Sequence, residues 1–222
     1  MLTEPQATPF DLHFRVAGIP VRVSGLFWLG TLFIGWNACQ SFAGGNQRQL
    51  VVYLAIWAAV VLGSILVHEL GHALAYRRFG QSARIVLYHL GGLAIPDGWR
   101  GARLGPAERF VVSAAGPMAQ LPLAALVIVG VRAAGWEVPF PFPDVARRLG
   151  LDGGSPFRSL PVLALVEFLV SVNVLWPLLN LVPVPPLDGG QMVREALEAL
   201  GVHGARRIAS GVGLVAGALL AW

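Results

Sequence analysis

The sequence has no lysine, one cysteine, and charged side chains at only 13% of its 222 positions. A lone cysteine, Cys39, cannot form an internal disulfide. That excludes a stapled secreted scaffold and any multi-cysteine metal site. Soluble domains are about a quarter charged, so the shortage of charge excludes an ordinary cytosolic protein. All 16 basic residues are arginine and, with 12 acids, leave a net charge of +4. The arginines are dispersed rather than gathered in a basic stripe, so no nucleic-acid partner is expected. There is no internal repeat and no low-complexity segment. What the chain has in excess is apolar surface: 55% hydrophobic residues and a mean hydropathy of +0.65.

That apolar surplus is gathered into runs. Residues 23–47, 49–68, 110–131, 168–187 and 208–222 carry no Asp, Glu or Arg. A bilayer core takes about 20 apolar residues per helix. The pattern predicts an α-helical polytopic membrane protein with about five transmembrane helices, near 25–44, 50–76, 109–132, 160–183 and 206–222. The opening MLTEPQATPFDLHF has no basic start before an apolar run, so it is not read as a cleavable signal peptide. Residues 1–24 form a separate N-terminal segment, and 25–222 form one membrane-embedded domain. Five spans put Arg15, Arg22, Arg77, Arg78, Arg84, Arg100, Arg103, Arg109, Arg194, Arg206 and Arg207 on one side. Arg48, Arg132, Arg147, Arg148 and Arg158 fall on the other. The positive-inside rule then sets the N-terminus in the cytoplasm. Trp28, Trp36, Trp57, Trp99, Trp136, Trp176 and Trp222 mostly fall near span ends, as an aromatic belt does.

The connecting segments have their own patterns. Residues 12–23 and 84–95 are rich in β-branched and aromatic residues and broken by glycine, which predicts short strands or hairpins at the cytoplasmic membrane edge. Residues 136–158 read as an irregular Pro/Gly loop. In 190–201, Met192, Val193, Ala196, Leu197 and Leu200 share a helical face opposite Arg194, Glu195 and Glu198, which predicts an interfacial amphipathic helix.

Ionisable groups within a span are costly and usually functional. The second span ends in His68, Glu69 and His72, spaced H-E-x-x-H. Positions i and i+4 share a helix face, so the two imidazoles can bind one zinc, with the Glu beside them as general base. The competing reading is a pair of interfacial histidines. A zinc site needs a third ligand and an open position for water. Asp188 follows the fourth span, which runs in the same direction as the second, so it reaches the same side at similar depth. An Asp-Gly-Gly also occurs as an ordinary turn.

With both motifs in view, the sequence resembles the site-2 protease family of intramembrane zinc metalloproteases. HELGH at 68–72 and NLVPVPPLDGG at 180–190 match the family's two metal motifs, and Asn173 is a further family-like position upstream. SAAGPMAQ at 113–120 resembles a third segment, with Gln120 where Asn is usual. The hairpin YHLGGLAI at 88–95 resembles the family's membrane-edge β element. In GIPVRVSGLFW at 18–28, Ser24 stands where a His is often found. The resemblance covers most of residues 12–200. It implies a three-helix catalytic core and one Zn2+ per chain, with His68, His72 and Asp188 as ligands and Glu69 as the catalytic base. It also implies that Asn180 and Pro186 help position substrate; a helix-capping or interhelical bond is the alternative for Asn180. The implied partners are the lipid bilayer and a membrane-protein substrate with a transmembrane segment. The absence of lysine beside abundant Ala, Gly and Arg points to a GC-rich bacterial genome, so the expected setting is a bacterial cell membrane, and the arginine bias places the active site near the cytoplasmic face.

Such a zinc would lower the pKa of a water and polarise the scissile carbonyl, while Glu69 accepts the water's proton. A transmembrane substrate must unwind first, and the 84–95 hairpin could pair with it by strand addition. Two other classes remain beside this one. A metal or ion transporter would spread acids and histidines across the membrane depth, yet only Glu167 lies away from the one level. A catalytically silent scaffold would carry a damaged motif, and both halves are intact. Glu167 and Asn173 read as interhelical polar groups, and His89 and His203 as surface histidines.

Overall fold

The computed structural model describes residues 6–89, 91–97 and 104–220. Arg100 and Arg103 of the charge count, Trp99 and Trp222 of the aromatic belt, and Leu90 of the hairpin lie outside them. Strands β1 (Leu12–Val16) and β2 (Ile19–Val23) open the chain. Ala17 and Gly18 join them with φ of 49° and 76°. Positive φ at both residues gives a turn whose twist matches the strands it joins. Helices α1 (Gly25–Ala43) and α2 (Gln47–Arg78) follow, then strands β3 (Ala83–Tyr88) and β4 (Gly91–Pro96). The rest is helical: α3 (Pro106–Ala133), α4 (Pro143–Arg148), α5 (Leu160–Asn180), α6 (Asp188–Ala199) and α7 (Ala205–Leu220).

The four strands form one sheet in sequence order. β1–β2 and β3–β4 are antiparallel, while β2 and β3 are parallel, with Val21 opposite Ile85. A parallel pair needs a long crossover, and α1 and α2 supply it. One face of the sheet buries Ile19, Val21, Val23, Ala83, Ile85 and Leu87 in a core shared with α1, α2 and α5. β4 lies at the edge, beside α2.

Three helices, α2, α3 and α5, are long and apolar enough to cross a membrane. Their most apolar windows are only 28%, 28% and 44% buried. Phe33, Leu126 and Val129 project outward, with 84%, 70% and 64% of their surface exposed. Apolar surface on that scale is stable against lipid rather than water. α2 has 32 residues, about 48 Å at 1.5 Å per residue. It therefore outruns a hydrocarbon core of about 30 Å. α1 has 19 residues and α7 has 16, and neither belongs to the three.

Two segments differ from the sequence expectation. The 136–158 loop contains α4, started by Pro143 in the first helical turn, where its missing N–H costs nothing. Its Val138, Ala146 and Leu151 are buried against α3 and α5. On α6 the polar face does not simply meet water: Glu195 is 1% exposed. The cause is Arg109 at the start of α3. Its guanidinium donates to Glu195 at 2.5 Å and also pairs with Glu198, while Arg194 pairs with Glu195 from its own helix.

Candidate metal centre

α2 carries His68, Glu69 and His72 in its second half, and all three are buried. α3 crosses them closely. A Cβ on Gly71 would lie 2.3 Å from the Ala115 carbonyl oxygen. One on Gly116 would lie 2.3 Å from His72 Nε2 and 2.7 Å from His68 Nε2. Only glycine at 116 leaves the two rings their place.

Asp188 comes from the other side. After α5, the chain folds back over the first turn of α6. A Cβ on Gly189 would sit 2.2 Å from the Leu181 carbonyl oxygen, and one on Gly190 would sit 2.4 Å from the Pro185 nitrogen. The two glycines admit this loop and set Asp188 in the first turn of α6, where the helix dipole favours a carboxylate. Its Oδ2 lies 3.0 Å from His68 Nε2 and 3.4 Å from His72 Nε2. Burial pushes the Asp188 carboxyl up, but the hydrogen bonds and charges of the two imidazoles outweigh it and hold the pKa at about 2.

The ligand atoms of His68, His72 and Asp188 lie within 4.8 Å of one another, a group that could hold a metal ion. A tetrahedral zinc with bonds of about 2.0–2.1 Å keeps its ligand atoms about 3.3 Å apart, close to the two His–Asp distances. The far side of each ring fits as well. His72 Nδ1 is 2.7 Å from the Val112 carbonyl oxygen. A carbonyl only accepts, so Nδ1 carries a proton and Nε2 is the ring nitrogen left to ligate a metal. His68 Nδ1 lies 3.0 Å from Gln120 Oε1. Partners behind the rings are what ligating histidines require.

Glu69 lies against β4. A Cβ on Gly92 would come within 2.6 Å of Glu69 Oε1, and the Ala94 backbone amide donates to the carboxylate. Asn180 and Pro186 do not join this cluster by any hydrogen bond: the Asn180 amide donates to the Trp176 carbonyl oxygen at 3.0 Å, one turn back, and Pro186 is exposed. Asn173 donates to Ser64 Oγ at 2.9 Å, linking α5 to α2. His89 is exposed and stacks edge-on with Tyr88. Sequence reasoning overlooked the Val112 carbonyl, which no side chain announces. It met Gln120 only as a departure from a motif.

Comparison with known proteins bears on family and fold. Peptidase family M50 matches residues 56–152 and 153–221. Rip3 of Mycobacterium tuberculosis, which bears a zinc-metalloprotease name, is 31% identical over 82% of this chain and 42% of its own length. The similarly named sll0528 of Synechocystis is 28% identical over 90% of this chain and 48% of its own. The chain therefore spans about half the length of these curated relatives. Among solved structures, the site-2 protease from Methanocaldococcus jannaschii superposes with a TM-score of 0.55 at 19% identity, over 92% of this chain and 80% of that one. The fold is that of a site-2 protease.

Proposed function

The chain belongs to peptidase family M50, and from that premise we propose that it is an intramembrane zinc endopeptidase that cuts membrane proteins in or near their transmembrane segments. The observation that carries this reading is the convergence of two Nε2 atoms and one carboxylate within 4.8 Å, beside a buried glutamate. His68, His72 and Asp188 would hold one zinc. When bound, zinc supplies a Lewis acid for the scissile carbonyl and brings the pKa of a water down to about 7. Glu69 accepts the attacking water's proton on its carboxylate and returns it to the leaving amine. The close pass of β4 at Gly92 confines that carboxylate. The three-helix core of α2, α3 and α5 excludes bulk water from these groups, which strengthens each charge interaction among them.

β4 is the outer strand of its sheet and runs past Glu69. An unwound substrate segment added along that edge would present its carbonyls next to the base. Asn180, at the end of α5, and Pro186, two residues before Asp188, would flank such a segment. In the full topology α1 and α7 add two crossings to the three, giving five. The arginine bias puts the N-terminus and the site at the cytoplasmic face of a bacterial cell membrane.

Metal analysis of detergent-purified protein tests this reading without a known substrate. About one zinc per chain is expected in the wild type, with loss in Asp188→Ala. A wild type that binds no zinc, or an Asp188→Ala variant that retains it fully, refutes the site as drawn.

A further inference from the structure

Behind His68, away from the site, the interior holds two buried polar atoms without a protein partner: Gln120 Nε2 and Asn173 Oδ1. Both side chains are 0% exposed. An unpaired polar atom in such a place costs about 1–3 kcal/mol, so a matched pair of orphans is informative. One is a donor and the other an acceptor. Gln120 has spent its acceptor on His68 Nδ1. Asn173 has spent its donor on Ser64 Oγ and on the Leu169 carbonyl at 2.8 Å. The Leu169 carbonyl can only accept, which fixes the Asn173 amide with its oxygen toward the gap.

The two orphans belong to adjacent layers of the core between α2, α3 and α5, about one helical turn apart. Ser64 precedes His68 by one turn on the same face of α2. Ala124, one turn after Gln120 on α3, packs in a single buried cluster with Val170 and Val174, which bracket Asn173 on α5. The atoms make no direct hydrogen bond to each other. A single water between them would accept a hydrogen from Gln120 Nε2 and donate one to Asn173 Oδ1, the two polar partners a buried water needs.

We infer that Gln120 is the positioning residue for His68, and that a buried water ties its amide to Asn173 on α5. With the Gln120 oxygen toward His68, Nδ1 carries the proton and Nε2 presents its lone pair to the metal. With the amide reversed, Gln120 donates to Nδ1, the proton moves to Nε2, and His68 is no longer a ligand. Asn173 thus supports the metal site without touching it. This inference rests on the zinc reading above.

The test is zinc affinity of detergent-purified protein, measured by chelator competition, with the visible spectrum of the Co2+-loaded form as a second readout. Apo-protein thermal unfolding monitors the fold. Gln120→Leu keeps the volume and removes both polar atoms; its zinc affinity should fall about 10–100-fold, the usual loss for an outer-shell partner. Gln120→Glu keeps the acceptor, so it should bind zinc at least as tightly as the wild type and keep its Co2+ spectrum. Asn173→Leu should weaken zinc less than Gln120→Leu, and the double variant should be no weaker than Gln120→Leu alone. Equal zinc affinity in wild type and Gln120→Leu overturns the positioning role, as does a Gln120→Glu variant as weak as Gln120→Leu. Additive losses in the double variant overturn the water link. If Gln120→Leu does not fold, Gln120→Glu and Asn173→Leu still decide. A wild type without zinc would instead remove the functional reading itself.

Discussion

His68 and His72 reach the candidate metal centre on one helix, whereas Asp188 reaches it from a loop and a different helix, 120 residues after His68. The histidine arm is local: one turn of α2 sets its spacing, and the close crossing of α3 at Gly71 and Gly116 sets its depth. The aspartate arm is long-range. It depends on the 181–187 segment folding back over Gly189 and Gly190, and on Arg109 fastening α6 to α3. One site thus combines an arm that forms as soon as a helix forms with an arm that forms only when distant elements meet. The two should fail in different ways when perturbed.

The largest effect separates chemistry from both arms. Glu69→Gln keeps the shape of the side chain and touches no ligand, but it removes the proton acceptor. Cleavage of a transmembrane substrate should fall by about 10²–10⁴-fold, while bound zinc stays at the wild-type level. Loss of zinc in this variant would show that Glu69 belongs to the metal arms rather than to catalysis alone.

The next two substitutions break one arm each. Gly116→Ala places a methyl group 2.3 Å from His72 Nε2, so one of the rings must leave its position. Gly189→Ala places one 2.2 Å from the Leu181 carbonyl oxygen, so the loop that delivers Asp188 must shift. Each should weaken zinc by at least about tenfold, as displaced ligand shells do. Gly63→Ala, on the same helix as the histidines but with open space around it, should bind zinc like the wild type. Chelator competition on the four proteins gives the ranking. Normal affinity in Gly116→Ala would mean that α3 does not fix the histidine arm.

The same contrast decides what could be read from the sequence. The histidine arm was legible because H-E-x-x-H encodes its geometry in its spacing, and helical periodicity does the rest. The aspartate was legible as a candidate because a proline-broken run ended in Asp-Gly-Gly at the matching depth. Its fastening was not. Glu195 lies on the polar stripe of α6, and a periodicity argument sends that stripe to water; only the fold reveals Arg109 above it. The Val112 carbonyl behind His72 was hidden for a different reason, since backbone groups have no letter of their own. Span counting was limited in a third way. Absence of charge marks apolar stretches, yet α1 interrupts its run with Asn37 and Gln40, and neither α1 nor the described part of α7 is among the three helices long and apolar enough to cross a membrane.

Arg109→Met tests the fastening of the aspartate arm directly. The substitution leaves Glu195 buried with Arg194 as its remaining partner, at a cost of about 1.5–3 kcal/mol for a lost charge-assisted bond. A lower midpoint of thermal unfolding in detergent is expected, together with weaker zinc binding, because α6 carries Asp188 in its first turn. Replacing both partners, Arg109→Met with Glu195→Met, should recover part of the stability by removing a buried charge that has lost one of its two partners. If Arg109→Met unfolds at the wild-type temperature, the ion pairs do not hold the arm.

The smallest effect lies at the far end of α2. Asn46 caps this helix by accepting from the Arg48 and Gln49 amides at 3.0 and 3.3 Å. Asn46→Ala exposes those two donors and should cost about 1 kcal/mol. About six turns of helix separate the cap from His68, and the α2–α3 crossing at Gly71 holds the ligand end independently of it. The expected outcome is a small drop in unfolding temperature with zinc affinity unchanged. A change in zinc affinity would mean that the histidine arm depends on the whole length of α2 and is less local than its spacing implies.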